Sequence, residues 1–142
     1  MPKIHFEKII KAERNKVFDI ATNYEEFQKK IPEYFTSIRI RSVRDNVAVI
    51  EEHIKLAGKE LVMMTKHVTK YPETHEIFVI GGDAKGSHIL EHYQSVTEGT
   101  KISVDADIKL KGVLKIVGFF GKRKIASGFI MMMDEFAKIA ES

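Results

Sequence analysis

The stretch Lys101-Ile102-Ser103-Val104-Asp105-Ala106-Asp107-Ile108-Lys109-Leu110 carries an apolar side chain at every second position. Successive side chains of a β-strand point to opposite faces, so this strand has one buried face and one wet face. Past Gly112 the period changes. Phe129, Met132, Met133, Phe136 and Ala140 recur at the spacing of a single stripe on a helix. A half-wet strand that runs into an amphipathic closing helix restricts the chain to an antiparallel sheet folded onto its own C-terminal helix. Such a layout can enclose a pocket between its two layers.

The upstream pattern supplies the rest of that sheet. Lys3 to Lys11 reads as a strand, and Ala12 to Asn23 sets Val17, Phe18, Ile20 and Ala21 at helical spacing. Tyr24 to Ile31 forms a second short helix that ends at Pro32, because the residue before proline avoids the helical region. From Tyr34 the chain turns to β. Thr36 to Val43, Val47 to Leu56, Lys59 to Lys70 and Thr74 to Ile80 are strands, separated by Asp45-Asn46, Ala57-Gly58 and Tyr71-Pro72-Glu73. Gly81 to Gly86 reads as a glycine-rich loop, and Ser87 to Val96 pairs with Thr100 to Leu110 around Glu98-Gly99. The order is β-α-α, then six strands, then a long helix. It predicts one α+β domain over residues 1–142, with its helices segregated to one side of an antiparallel sheet.

Composition narrows the function classes. The chain has 142 residues, enough for a full core, and no cysteine, which excludes disulfides and thiolate chemistry and fits a reducing cytoplasm. Its net charge of +3 is a weak excess without the concentrated stripe of a nucleic-acid binder. The first residues alternate charge and hydrophobe, against a signal peptide, and no apolar run approaches the roughly 20 residues of a membrane span. These features predict a soluble cytoplasmic protein.

Counting outward from the turns assigns faces. Around Glu98-Gly99, Tyr93 falls opposite Val104, Glu91 opposite Ala106 and Ile89 opposite Ile108. The other face pairs His92 with Asp105, Leu90 with Asp107 and His88 with Lys109. Around Ala57-Gly58, Ile54 falls opposite Leu61, Glu52 opposite Met63, Ile50 opposite Thr65 and Ala48 opposite His67. In both hairpins the apolar face thus carries isolated polar groups: Glu91, Glu52, Thr65 and His67. A solid core accepts such groups at a cost, and burial pushes a carboxyl pKa upward. A cavity holding ligand or water accepts them readily. The competing reading is a wet sheet edge from which these side chains reach solvent.

Four segments carry a family resemblance. They are Val17-Phe18-Asp19-Ile20-Ala21-Thr22-Asn23-Tyr24-Glu25-Glu26-Phe27 with Pro32, the Gly82 to Gly86 loop followed by His92-Tyr93, Asp107-Ile108-Lys109-Leu110-Lys111-Gly112-Val113-Leu114, and Met133-Asp134-Glu135-Phe136-Ala137. Together they resemble the START-like, helix-grip superfamily of polyketide cyclase/dehydrase and lipid-transport proteins, the birch-pollen-allergen fold. Its coenzyme-Q-binding branch is the most similar, although that family more often has Trp at the Tyr93 position. The resemblance implies a curved seven-stranded sheet wrapped around the long C-terminal helix, with an apolar internal cavity. It also implies binding or transport of a small hydrophobic molecule (a lipid, isoprenoid, quinone or polyketide-like compound) without a cofactor.

The residues expected to line that cavity are Phe27, Ile38, Ile40, Ile50, Glu52, Met63, His67, Ile89, Glu91, Tyr93, Val104, Ile108, Phe119, Phe120, Phe129 and Met132. Glu91, Glu52, His67 or Tyr93 would orient a polar end of the ligand. An alternative is an aromatase/cyclase-type enzyme with Glu91 or His67 as general acid–base near Tyr93. A third reading is a ribosome- or RNA-associated module that uses the basic run Lys122-Arg123-Lys124, which could equally touch an acidic membrane surface.

Other chemistries find less support. The chain has six histidines, but His88 and His92 lie about 13 Å apart along a strand, and His53, His67 and His75 lack ligand-like spacing, so no metal site is expected. The glycine loop lacks the Gly-Lys-Ser/Thr ending of a P-loop, and no serine sits in a nucleophile elbow. Met133 and Phe136 read as plain core, and Phe129 and Met132 as cavity floor. Gly118 and Gly121 each weaken a helix by roughly 1 kcal/mol relative to Ala, which predicts a mobile lid over Val113 to Gly121.

Overall fold

The computed structural model describes residues 3–56, 58–109 and 122–142. Its alternating segments become β1 (Lys3–Ile10), β2 (Phe35–Arg44), β3 (Val47–Leu56), β4 (Lys59–Lys70), β5 (Thr74–Gly82), β6 (His88–Val96) and β7 (Gly99–Asp107). All join one antiparallel sheet in the order β1-β7-β6-β5-β4-β3-β2. Strands β1 and β2, consecutive in sequence, therefore form opposite edges. The chain crosses between them through α1 (Arg14–Ala21), a 3-10 turn (Tyr24–Glu26) and α2 (Phe27–Lys30). The expected pair of short helices is this crossing. The closing helix α3 (Lys122–Glu141) packs against α1, β1 and β3.

The sheet is curved for a local reason. Register shifts interrupt β2–β3 between Phe35 and Ser37 and between Ile40 and Ser42, and β4–β5 between Met64 and Thr65. Each inserts an extra residue on one strand, which bends that strand and increases its twist. On the concave side α3 buries Ile125, Met132, Met133, Phe136, Ala137 and Ala140, while Met131 turns outward. This is the helix-grip α+β arrangement. Among the described residues no helix is long and apolar enough to cross a membrane.

The β3–β4 register matches the count from Ala57-Gly58 residue for residue. The last hairpin differs by two. Val96 pairs with Gly99, so the turn residues are Thr97-Glu98, and Glu91 faces Val104, Tyr93 faces Ile102 and Ile89 faces Ala106. A two-residue shift preserves the faces, because the side-chain period along a strand is also two. Close approach of β1 explains the shift. A Cβ on Gly99 would sit 2.4 Å from the Ile10 carbonyl oxygen, and Gly99 has φ +141°, so glycine serves here as the first residue of β7 rather than in the turn. Every expected pair of this hairpin is consequently replaced; His92, for one, lies opposite Ser103, and Asp105 instead accepts from His5 on β1 at 2.7 Å.

The glycine-rich loop is shorter than expected. Gly81 and Gly82 belong to β5, and Gly82 takes φ +79° where a Cβ would meet the Val62 carbonyl oxygen at 2.3 Å. Strand β7 ends at Asp107. Phe119, Phe120 and the lid expected over Val113 to Gly121 lie outside the described residues.

Candidate functional site

Strand parity turns Glu52 on β3, Thr65 and His67 on β4, His75 on β5 and Glu91 on β6 toward the concave side, where all five border one cavity. Their side chains meet across four adjacent strands. The Tyr93 hydroxyl and His75 Nδ1 both donate to Glu91 Oε1, each at 2.7 Å. His75 Nε2 lies 2.8 Å from His67 Nδ1, and His67 Nε2 lies 2.8 Å from Glu52 Oε2. The Thr65 hydroxyl donates to the same Glu52 oxygen. The result is a continuous chain, Glu91–His75–His67–Glu52, with one hydroxyl donor on each terminal carboxylate. The two imidazole rings are nearly coplanar, at 20°, and the Tyr24 ring covers His67 at 4.6 Å between centroids.

These groups are withdrawn from solvent. Glu52, His67 and His75 expose 3 % or less of their surface, and the Glu91 side chain 12 %. Burial is the largest influence on each carboxyl and opposes ionisation, but the histidine partners and the hydroxyl donors outweigh it. Glu52 and Glu91 are both held below their ordinary value of 4.5. Burial, with Glu91 beside it, pushes the Tyr93 phenol upward, and burial with Glu91 and Glu52 does the same to Tyr24. The hydroxyls therefore remain neutral donors.

A pH dependence follows. Because the folded pKa of each carboxyl is depressed, its contribution to stability is complete above pH 4.5 and is lost as pH falls below it. Urea denaturation between pH 7 and 3 should show stability declining below pH 4.5, and a Glu52→Gln/Glu91→Gln variant should show a shallower decline. Equal slopes for the two proteins would contradict the assignment.

The cavity measures about 110 Å³. Apart from the polar chain its walls are mostly apolar: Phe6, Ile77, Val79 and Val104 from the sheet, and Phe129, Met132, Met133 and Phe136 from α3. Of the residues expected to line it, Phe27, Glu52, Met63, His67, Ile89, Glu91, Val104, Ile108, Phe129 and Met132 do border it. Ile38, Ile40, Ile50 and Tyr93 do not. Tyr93 is fully buried against Phe18 of α1, with ring centroids 5.0 Å apart, so only its hydroxyl serves the site. Along β3 the cavity wall runs from Glu52 to Leu56 and stops short of Ile50, which is core; Ile40 pairs with Ile50 at that end, whereas Ile38 pairs with Glu52 and yet stays outside the wall. Met133 and Phe136, expected as plain core, are both core and cavity wall.

Three partners were not anticipated as site members: His75, Thr65 and Tyr24. For His75 a signal existed. Counting from the Tyr71-Pro72-Glu73 break pairs Lys70 with Thr74 and His67 with Ile77, which sets His75 diagonally beside His67 on the same face. Spacing along the sequence, by which metal ligands are sought, misses cross-strand neighbours of this kind. Among the described residues no group of three or more His, Asp or Glu side chains is arranged to hold a metal ion. Arg123 and Lys124 are exposed at the start of α3, away from the cavity wall.

No family model matches this sequence, and no curated protein does. Solved structures do. TTHA0849 from Thermus thermophilus superposes with a TM-score of 0.84 at 13 % identity, covering 96 % of this chain and 95 % of that one. A START superfamily protein from Mycobacterium smegmatis gives 0.83 at 12 % identity, covering 98 % and 97 %. The Zhui aromatase/cyclase from Streptomyces sp. R1128 gives 0.76 at 8 % identity, covering 98 % and 93 %. At these identities the matches establish the fold. This chain has the START-like, helix-grip fold over nearly its whole length.

Proposed function

We propose that this protein binds a small, largely apolar molecule in the space between sheet and α3, with the polar end of the ligand against the Glu52–His67–His75–Glu91 chain. One observation carries the reading: a continuous buried chain of ionisable groups borders a cavity whose other walls are mostly apolar. Such a site orients a ligand by a few polar contacts while apolar burial supplies affinity, about 25 cal/mol per Å² of ligand surface. The fold shared with a START superfamily protein and an aromatase/cyclase supports it.

The hydrogen-bonded histidine pair also favours a second reading, an acid–base enzyme of the cyclase type with Glu91 and His67 as proton carriers and His75 between them. One experiment addresses both. Native mass spectrometry of the purified protein, before and after organic extraction, should show an extractable bound species. A Glu91→Gln preparation that retains the same species favours binding and transport; one that retains a species of different mass favours turnover. Protein that carries nothing, and shows no thermal shift with any small apolar compound, would end the binding proposal.

A further inference from the structure

The hydrogen-bond chain determines its own proton count. Two ring nitrogens 2.8 Å apart, His75 Nε2 and His67 Nδ1, cannot both carry hydrogen, which would clash, nor both present lone pairs, which would repel. One proton lies between them. The same holds for an imidazole nitrogen against a carboxylate oxygen at 2.7 Å (His75–Glu91) and at 2.8 Å (His67–Glu52). Three bonds therefore hold three protons. Stripped of all of them, two carboxylates and two imidazoles would carry four negative charges, so three protons leave one. With no proton on the outer carboxylate oxygens, as the depressed pKa of each carboxyl requires near neutral pH, the chain bears a net charge of −1 however the three protons are distributed along it. The hydroxyls of Thr65 and Tyr93 add donors without adding charge.

That charge has no counter-ion among the described residues. The ionic partners of Glu52 and Glu91 among the described residues are His67 and His75, already counted, and no described Lys or Arg side chain pairs with either carboxylate. Buried charge left in this state is costly, and proteins normally pair it. Each end also leaves one oxygen outside the chain: Glu52 Oε1 and Glu91 Oε2 accept no hydrogen bond among the described residues. Neither is among the sealed unpartnered atoms, which are Arg14 Nε and Asp107 Oδ1. Both oxygens belong to residues that border the cavity.

We propose that the site selects an apolar amine: a compact hydrocarbon body ending in a protonated nitrogen whose N–H groups donate to Glu52 Oε1 or Glu91 Oε2. The inference rests on the cavity-binding reading and names the ligand class. An ammonium supplies a positive charge and N–H donors together. An alcohol supplies a donor and no charge. Quinones and ketones bring only acceptors, and a carboxylate or phosphate would set like charges together. The volume of about 110 Å³ calls for a small body.

The test is calorimetric titration of the purified full chain at pH 7 with hexylamine, hexanol and hexanoate, which share a hydrocarbon body and differ in head group. Hexylamine is expected to bind at least tenfold more tightly than hexanol, with no measurable binding of hexanoate. The Glu52→Gln/Glu91→Gln variant should bring amine and alcohol within about twofold of each other. The overall charge of +3 works against a nonspecific attraction for amines, so the preference reports the cavity. Hexanol or hexanoate binding as well as hexylamine overturns the amine assignment and leaves the cavity reading standing. Binding of none of the three overturns the cavity reading and the amine with it. The ordering is read on the unmodified chain, so it does not depend on whether the variant folds.

Discussion

Replacing His75 with leucine should lower stability by about 4 kcal/mol, far more than a surface histidine would. The substitution removes the Nδ1 donor at 2.7 Å from Glu91 and leaves that carboxylate with the Tyr93 hydroxyl alone. It also strips His67 Nδ1 of its partner at 2.8 Å, so two buried polar groups lose a contact at once. Breaking a buried ionic network by removing one member strands the others. Replacing the whole network with apolar residues of similar volume strands none, and is often neutral or stabilising. A variant with Glu52, His67, His75 and Glu91 all exchanged for apolar residues should therefore be at least as stable as His75→Leu alone. Urea denaturation of the single and fourfold variants measures this. If the fourfold variant loses the sum of the single losses, the groups act independently and the chain is not a unit. A fourfold variant that folds well yet binds no amine would show that the network is kept for its ligand rather than for stability.

Phe18→Ala should cost about 4 kcal/mol and Met132→Ala only about 2, although both side chains are buried. Phe18 exposes 2 % of its surface and packs edge-on against Tyr93 at 5.0 Å and Tyr71 at 5.3 Å. It is not part of the cavity wall, so truncation opens a new void in close-packed surroundings and loses those contacts outright. Met132 already borders open space, so fewer of its contacts exist to be lost, and the space it vacates merges with the cavity. Thermal or urea unfolding of the two variants reads the difference. Equal costs would mean that the gap between sheet and helix is filled by side chains. The pair also separates fold from site: Met132→Ala should admit a longer amine, whereas Phe18→Ala should not.

Three of the four members of the polar chain can be read from strand alternation. The parity of β3, β4 and β6 puts Glu52, His67 and Glu91 on the buried face, and the two-residue error in the last hairpin leaves that conclusion intact. The stripe on α3 is equally plain, because helical and strand periods are properties of neighbouring residues. Misplaced residues share a different origin. Tyr93 has the parity of a cavity residue, but Phe18, remote in sequence, fills the space in front of it. Ile50 has the same parity as Glu52, yet the gap closes between them. Parity tells which way a side chain points, not what waits there.

Local pattern alone was enough for the order of elements, the buried face of each strand and the presence of ionisable groups on that face, all of which follow from the period of a pleated or helical backbone. It took the folded arrangement to join Glu91, His75, His67 and Glu52 end to end, and to set where the cavity begins and ends. Those outcomes depend on lateral register across four strands and on how far α1 and α3 stand from the sheet. Both are set by many contacts between distant residues, and no local pattern in the chain records their sum.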